Sequence, residues 1–104
     1  MATNSTADGT DVTPRVDVYE SQEDVLILAD LPGVRKEDLA VRFERSALVI
    51  EAARANGGRY RRAFDVPAAF DATKVDAELK QGVLTLKVPR TEAAKPRRIE
   101  VHSV

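Results

Sequence analysis

The chain has 104 residues, a length typical of one domain that buries roughly two thirds of its unfolded surface. It is 43% hydrophobic and 32% charged, with a formal net charge of −1, so no overall field attracts it to nucleic acid or to an anionic membrane. It contains no cysteine, which excludes disulfides, thiolate catalysis and thiolate metal sites and fits a reducing compartment. Its longest apolar run, residues 25–29, is far too short to span a membrane. Its first residues lack the basic and apolar regions of a secretory signal, so we expect a cytoplasmic protein.

Short alternating segments dominate the chain after a polar start. Residues 1–13 are small and polar and predict a flexible tail, because such a segment buries too little surface to offset its ordering entropy. From Pro14 onward, apolar and polar residues alternate with the period of two that is typical of half-buried strands. The predicted strands occupy residues 15–20, 24–31, 38–44, 47–53, 59–66, 75–80 and 83–88. Turn signals separate them, notably Pro32-Gly33, Asn56-Gly57 and Gln81-Gly82.

Seven short strands without a helical period predict an all-β fold, a sandwich of two antiparallel sheets. The sandwich domain is expected over residues 14–90. A polar spacer follows, and residues 91–104 form a C-terminal extension. Within that extension Ile99 and Val101 stand two residues apart, so in an extended chain both side chains point toward one surface.

The chain offers little catalytic chemistry. His102 is the only histidine and lies near the end, where solvation is a simpler explanation than metal binding. The acidic pairs Glu23-Asp24 and Glu37-Asp38 flank predicted turns and are read as surface charges. No phosphate-binding glycine loop and no nucleophile elbow is present. We therefore expect no enzyme, with no catalytic residue, no metal site and no cofactor.

Two basic clusters, residues 59–62 and 95–98, raise the alternative of a nucleic-acid-binding module. Arginines that alternate with aromatics on a strand can bind single-stranded nucleic acid. The chain as a whole is slightly acidic, however, and charges on an edge strand also discourage unwanted pairing. The second explanation is favoured, and neither nucleic acid nor a membrane is expected as a partner.

Two stretches, residues 30–39 ("DLPGVRKEDL") and 77–90 ("AELKQGVLTLKVPR"), resemble the small heat-shock proteins, which are built around the α-crystallin domain. The second stretch is similar to the family signature, with Gly82-Val83-Leu84 after Ala77 and with Pro89-Arg90 at its end. The tail resembles the family's C-terminal Ile-x-Ile/Val anchor. The resemblance covers residues 14–101 and implies an immunoglobulin-like sandwich.

The resemblance also implies a site. In this family the two apolar tail residues, here Ile99 and Val101, insert into a groove at the sandwich edge of the same or a neighbouring subunit. One wall of that groove is expected from Leu39, Val41 and Phe43, and the other from Val75 and Ala77. Arg62 matches an arginine that the family places at a dimer interface; its alternative role is to keep an edge strand from pairing.

The implied activity is that of an ATP-independent holdase, which binds unfolding client proteins and limits their aggregation. The alternative is a co-chaperone adaptor of the CS-domain type, which lacks both the Gly-Val-Leu hairpin and the anchor tail. Two departures from the family pattern matter. The long arm that carries an extra strand is missing at residues 54–61, and the N-terminal region is short. We therefore expect a monomer or weak dimer that self-associates through the tail and through the edge strand at residues 59–66.

Overall fold

The computed structural model describes residues 11–96 and 98–103. These residues form eight strands and three single-turn 3-10 helices. The strands are β1 (Asp11–Val12), β2 (Val16–Glu20), β3 (Asp24–Asp30), β4 (Leu39–Glu44), β5 (Ala47–Ala53), β6 (Arg59–Asp65), β7 (Asp76–Lys80) and β8 (Val83–Pro89), and the 3-10 turns are Lys36–Asp38, Ala72–Lys74 and Glu92–Ala94.

The strands form two four-stranded sheets, as the sequence predicts. One sheet has the order β1-β6-β5-β4 and the other the order β2-β3-β8-β7. Every ladder is antiparallel except the one between β1 and β6, which is parallel. The predicted sandwich is confirmed, with one strand more than expected.

The core lies between the sheets and follows the period-two pattern closely. Alternate residues of β5 and β8 are buried almost completely, namely Leu48, Ile50, Ala52, Leu84, Leu86 and Val88. No polar or charged residue is buried among those described. Each large apolar side chain removed from water in this way stabilises the fold by about 1.5–3 kcal/mol, so the alternation accounts for the sandwich.

Two tight connections occur where the turn signals predict them. Gln81 and Gly82 join β7 to β8 with φ values of 50° and 78°, a geometry that favours glycine at the second position. Residues 54–58 join β5 to β6, and the Arg54 amide donates to the Gly58 carbonyl at 3.1 Å. This five-residue connection contains no strand, so the chain has no arm at this point.

The N-terminal segment differs from the sequence prediction. The sequence predicts a flexible tail over residues 1–13, but Asp11 and Val12 pair with Arg59 and Tyr60 as β1, while residues 1–10 lie outside the described chain. The chain then crosses from one sheet to the other at the buried Pro14. The segment has few apolar residues to bury, and β1 is held instead by backbone pairing and by an ion pair between Asp11 and Arg59.

Candidate functional site: the groove between β4 and β7

The sandwich has a groove where the outer strands of its two sheets, β4 and β7, face each other. We name it the β4–β7 groove. It encloses about 460 Å³. Its lining consists of Lys36, Leu39, Val41, Ala77, Glu78, Leu79 and Leu84.

The floor and walls of the groove are apolar because both edge strands turn one face toward the core. Leu39 and Val41 are ladder partners of the buried Ala52 and Ile50, so they point to the same side as those residues. On the opposite wall Leu79 pairs with the buried Leu84. Both walls therefore belong to edge strands, so an extended apolar segment can enter between them.

The predicted groove residues are partly brought together. Leu39, Val41 and Ala77 line the groove, whereas Phe43 and Val75 are not in its lining. Phe43 lies on the same face of β4 as Val41 but is 46% exposed. Val75 precedes β7 and packs against the core.

Two apolar lining residues, Leu79 and Leu84, were not predicted as groove residues. The signal for Leu79 was present in the sequence, because it alternates with Ala77 along the same strand. Leu84 belongs to the neighbouring strand β8, and its place in the groove depends on β4 of the other sheet facing the β7–β8 hairpin.

The tail residues lie away from the groove of their own chain. Ile99 and Val101 are 81% and 88% exposed, the highest values among the large exposed hydrophobic residues described. No strand forms in residues 98–103. In this conformation the chain presents both an apolar tail and an open apolar groove.

The spacer between sandwich and tail is held to the sandwich at its start. The Arg90 amide donates to the Glu23 carbonyl, and the Thr91 amide donates to the Ala69 carbonyl, each at 2.9 Å. The Arg90 guanidinium also contacts the Glu20 carboxylate at 2.7 Å and lies 4.7 Å from the centre of the Phe70 ring. These contacts fix the direction in which the tail leaves, at the end of the sheet where β2 turns into β3.

A second, smaller opening lies at the other side of the sandwich, between β2 and β6. We name it the β2–β6 opening. Its cavity measures about 190 Å³ and is mainly apolar, with Val18, Val25, Phe64, Val66, Phe70 and Val88 among its lining residues. Val18 is 56% exposed although it pairs with the buried Ile27, so the opening leaves an inward-facing residue uncovered.

Arg62 lies at this same side. It is half-buried on the inner face of β6 opposite Ile50, with its guanidinium 5.1 Å from the centre of the Phe64 ring. Among the described residues it has no ion-pair partner. Its role at a dimer interface remains a prediction.

The outer face of the first sheet carries a charged network around Glu51. The Glu51 carboxylate contacts the guanidinium groups of three arginines: Arg42, Arg59 at 2.8 Å and Arg61 at 3.6 Å. The hydrogen bond from Arg42, more than the other charges, lowers the pKa of Glu51 below its ordinary value. A carboxylate held ionised by three arginines is suited to structure and not to proton transfer.

Within the described ranges, no group of three or more carboxylate or imidazole side chains is placed to bind a metal ion, and His102 is exposed. None of the helices in those ranges is long and apolar enough to cross a membrane. The cytoplasmic location stays a prediction.

Two four-stranded sheets, a groove between their edge strands and a Gly-Val-Leu hairpin at β8 define a sandwich of the α-crystallin type. The model of the Hsp20/alpha crystallin family matches residues 17–102, and the chain belongs to this family. It is 32% identical over 105 aligned positions to the probable 15 kDa heat shock protein of Leptospira interrogans, covering 88% of this chain and 80% of the relative.

Solved structures resemble the chain in fold and in sequence. A small heat-shock protein from Xylella fastidiosa superposes with a TM-score of 0.72 at 30% identity, covering 86% of this chain and 96% of that one. Heat shock protein 16.0 from Schizosaccharomyces pombe gives a TM-score of 0.70 at 27% identity, covering 89% and 98%. The predicted family is confirmed: the protein is a chaperone of the small heat-shock type, a family whose members are not enzymes.

Proposed function

We propose that the protein acts as an ATP-independent holdase, and that the β4–β7 groove receives the Ile99–Val101 tail of a neighbouring subunit. One observation carries the second part: two apolar tail residues are almost fully exposed while an apolar groove stands open. Covering both surfaces together removes apolar area from water and is therefore favourable.

The tail suits the groove by the chemistry of strand addition. Ile99 and Val101 in an extended chain lie about 7 Å apart on one face, while Arg98 and Glu100 point to the other. Edge strands offer unpaired backbone groups to an added strand, and alternate side chains enter the space between the walls. Lys36 and Glu78 at the rim provide charges of both signs for the flanking Glu100 and Arg98.

The path of the spacer favours a neighbouring subunit over the same chain. The spacer leaves beside β2, while the groove borders β7, and these strands are the two opposite edges of one sheet. Three strand spacings separate them, about 14 Å across the sheet alone. Pro96 still lines the surface beside Glu20 and Gln22, so only three residues remain to reach Ile99, about 10 Å at full extension.

The expected affinity is low. Burying one isoleucine and one valine gains about 1.5–3 kcal/mol each. Association and ordering cost at least about 4 kcal/mol. A single anchor therefore exchanges readily, and each release exposes the groove and the tail to unfolding clients.

A peptide-binding experiment tests the groove. The receptor is the full chain with I99A and V101A, so that its own tails do not compete, and the probe is a fluorescent peptide of residues 95–104. We expect saturable binding that is lost when the peptide carries the same two alanines. It should also be lost in a receptor with A77R, which fills the groove, and retained with A40R on the outer face of β4. Equal binding to both arginine variants would contradict the groove assignment.

The holdase activity is tested separately by light scattering of a heat-denatured model client. Without nucleotide, the chain should lower the scattering in proportion to its concentration, and added ATP should change nothing. Unchanged scattering at a several-fold molar excess would contradict the holdase and favour the adaptor, which binds a folded chaperone.

A further inference from the structure

We propose that the outer face of the β2-β3-β8-β7 sheet is a docking surface for unfolding client segments whose apolar residues are flanked by lysine or arginine. We name this surface the acidic face. Its role rests on the proposed holdase function, and it specifies the class of client segment that the protein binds. Apart from Glu78 at the common border, the acidic face shares no residue with the lining of the β4–β7 groove.

The first observation is that β3 is apolar on both of its faces. Its inward residues Val25, Ile27 and Ala29 belong to the core or pack against it. Leu26 and Leu28 alternate with them and face outward. An antiparallel sheet with one solvated face normally has polar residues at such outward positions. β3 therefore has the composition of a strand that is covered on both sides.

The two leucines continue into an apolar stripe that crosses three strands. Tyr19 of β2 is the ladder partner of Leu26, and Thr85 of β8 is the ladder partner of Leu28. Val83 is two residues from Thr85 and faces the same side. Tyr19 is 58% exposed, and both leucines and Val83 are partly exposed. None of the four apolar residues belongs to the core or packs against it.

The outer face of the other sheet offers no comparable stripe on β4, β5 and β6. Its outward apolar residues there are four alanines and Val49. Val49 is only 3% exposed, so the one large apolar side chain among them is already covered. The exposed stripe is therefore particular to one face of the sandwich.

Acidic side chains surround the stripe. The outward positions of its four strands hold five carboxylates and two lysines, namely Asp17, Asp24, Asp30, Asp76, Glu78, Lys80 and Lys87. Lys87 lies 3.6 Å from the Asp24 carboxylate and is thereby neutralised. Arg15 precedes β2 at one corner, and acids still outnumber bases by five to three. The face therefore attracts positively charged segments and repels negatively charged ones.

These charges decide between the possible occupants. A second copy that placed its own acidic face here would bring like charges together, and the phosphates of nucleic acid are repelled as well. An unfolding segment with apolar residues and flanking cations satisfies both features of the face. Its apolar side chains cover the stripe, and its cations meet Asp17 and Asp30, which flank Leu28 across the ladder and along β3.

A pair of peptides tests the charge preference. The receptor is the full chain with I99A and V101A, so that its own basic and apolar tail does not compete. The probes are two fluorescent peptides with the same core of alternating leucine and serine, one flanked on each side by two lysines and the other by two glutamates. At low ionic strength the lysine-flanked peptide should bind at least about tenfold more tightly, and high salt should shrink this difference. Equal binding of the two peptides at low ionic strength would overturn the proposal.

A first pair of receptor variants tests the apolar stripe. L26T combined with L28T makes the stripe more polar without changing a charge, and it should weaken binding of the lysine-flanked peptide by at least about tenfold. The control combines A40T with A63T on the outer face of the other sheet and should leave binding unchanged. Equal effects of the two combinations would overturn the proposal.

A second pair tests the carboxylates. D17N combined with D30N should weaken binding of the lysine-flanked peptide by about fivefold. E44Q combined with D65N removes the same charge from the outer face of the other sheet and should have no effect. If both combinations weaken binding equally, only the net charge of the chain matters, and the acidic face is not the site.

The remaining outcomes separate the acidic face from the groove, from self-association and from the holdase function. A77R fills the β4–β7 groove and should leave binding of the lysine-flanked peptide unchanged; loss of binding would place the peptide in the groove and overturn the proposal. A changed solution mass of the L26T and L28T variant with unchanged peptide binding would show that a second copy covers the face, which also overturns it.

Light scattering of a basic client completes the test. The L26T and L28T variant should suppress scattering less than the unchanged chain does. Equal suppression by both would overturn the acidic face and leave the holdase function standing. If the unchanged chain suppresses no scattering, the holdase function fails, and the peptide results still decide whether the acidic face binds basic and apolar segments.

Discussion

Asp11 and Arg59 are joined in two ways: they are backbone partners in the only parallel ladder of the described fold, and their side chains form an ion pair with Oδ1 and Nε 2.8 Å apart. The strand that they define has only two residues. Both side chains are about half exposed, so the ion pair by itself is weak. Because the strand is short and its ion pair is exposed, we expect β1 to detach readily from the edge of β6.

The first prediction concerns the attachment of β1 to β6. D11N removes the charge while keeping the size of the side chain, so β1 should detach more often without loss of the sandwich. Amide hydrogen exchange should accelerate at residues 11–13 and stay unchanged in the core strands β5 and β8. D17N on β2 is the matched control, since Asp17 has no ion-pair partner among the described residues. Equal effects of the two substitutions would show that the ion pair does not hold β1.

The second prediction concerns pH. The hydrogen bond from Arg59 lowers the pKa of Asp11 below its ordinary value. A carboxyl whose pKa is lower in the folded state stabilises β1 above the unfolded pKa, and this contribution is lost as pH falls through the folded pKa. Hydrogen exchange of residues 11–13, expressed relative to the intrinsic exchange rate at each pH, should therefore accelerate as pH falls below the ordinary aspartate pKa of about 4. In D11N this acceleration should be absent, and its persistence would assign the pH effect to another group.

The third prediction concerns the tail. Replacing Ile99 and Val101 together by alanine should lower the average solution mass at high concentration and leave the melting temperature unchanged. The reason is that both residues are exposed in the chain and contribute nothing to its core. R98A, adjacent on the tail, is the control and should retain most of the association. A fall in melting temperature of the double variant would mean that the tail packs on its own sandwich.

The fourth prediction compares two tight turns with the same backbone requirement. Gly82 has φ 78°, and G82A should destabilise the fold by about 1–2 kcal/mol, because this region is unfavourable for any residue with a Cβ. Ser46 has φ 68°, so S46G should instead stabilise the fold by up to about 1 kcal/mol. Urea unfolding midpoints measure both. A shift of the same sign in the two variants would contradict this explanation.

The sequence predicts the sandwich well because its strands alternate so regularly. The inward positions Leu48, Ile50, Leu84 and Leu86 all follow from the period of two. The hairpin at Gln81-Gly82 and the short connection at residues 54–58 follow from turn chemistry. These features depend on residues near one another in the chain, and sequence patterns describe such local relationships directly.

The site is predicted less completely because it depends on which strands become neighbours. The groove wall at Leu39 and Val41 was expected, but Leu84 enters the lining because β4, which belongs to the other sheet, faces the β7–β8 hairpin. β1 was not predicted for a similar reason. Its partner Arg59 is 48 positions away in the sequence, and polar contacts, not apolar burial, attach the strand. The β2–β6 opening likewise results from two edges that only the folded chain brings together.

The order of the strands has a consequence for how the chain folds. β4, β5 and β6 form a continuous meander of neighbouring hairpins, so most of the first sheet requires only short loop closures. The second sheet consists of two hairpins, β2–β3 and β7–β8, whose junction pairs Asp24–Asp30 with Val83–Pro89. Closing the long segment between β3 and β8 costs more entropy than closing a hairpin loop, and contacts between residues distant in sequence slow folding. We therefore expect the β3–β8 junction to be the slowest contact of the domain to form, and the meander to form ahead of it as the surface on which the two hairpins meet.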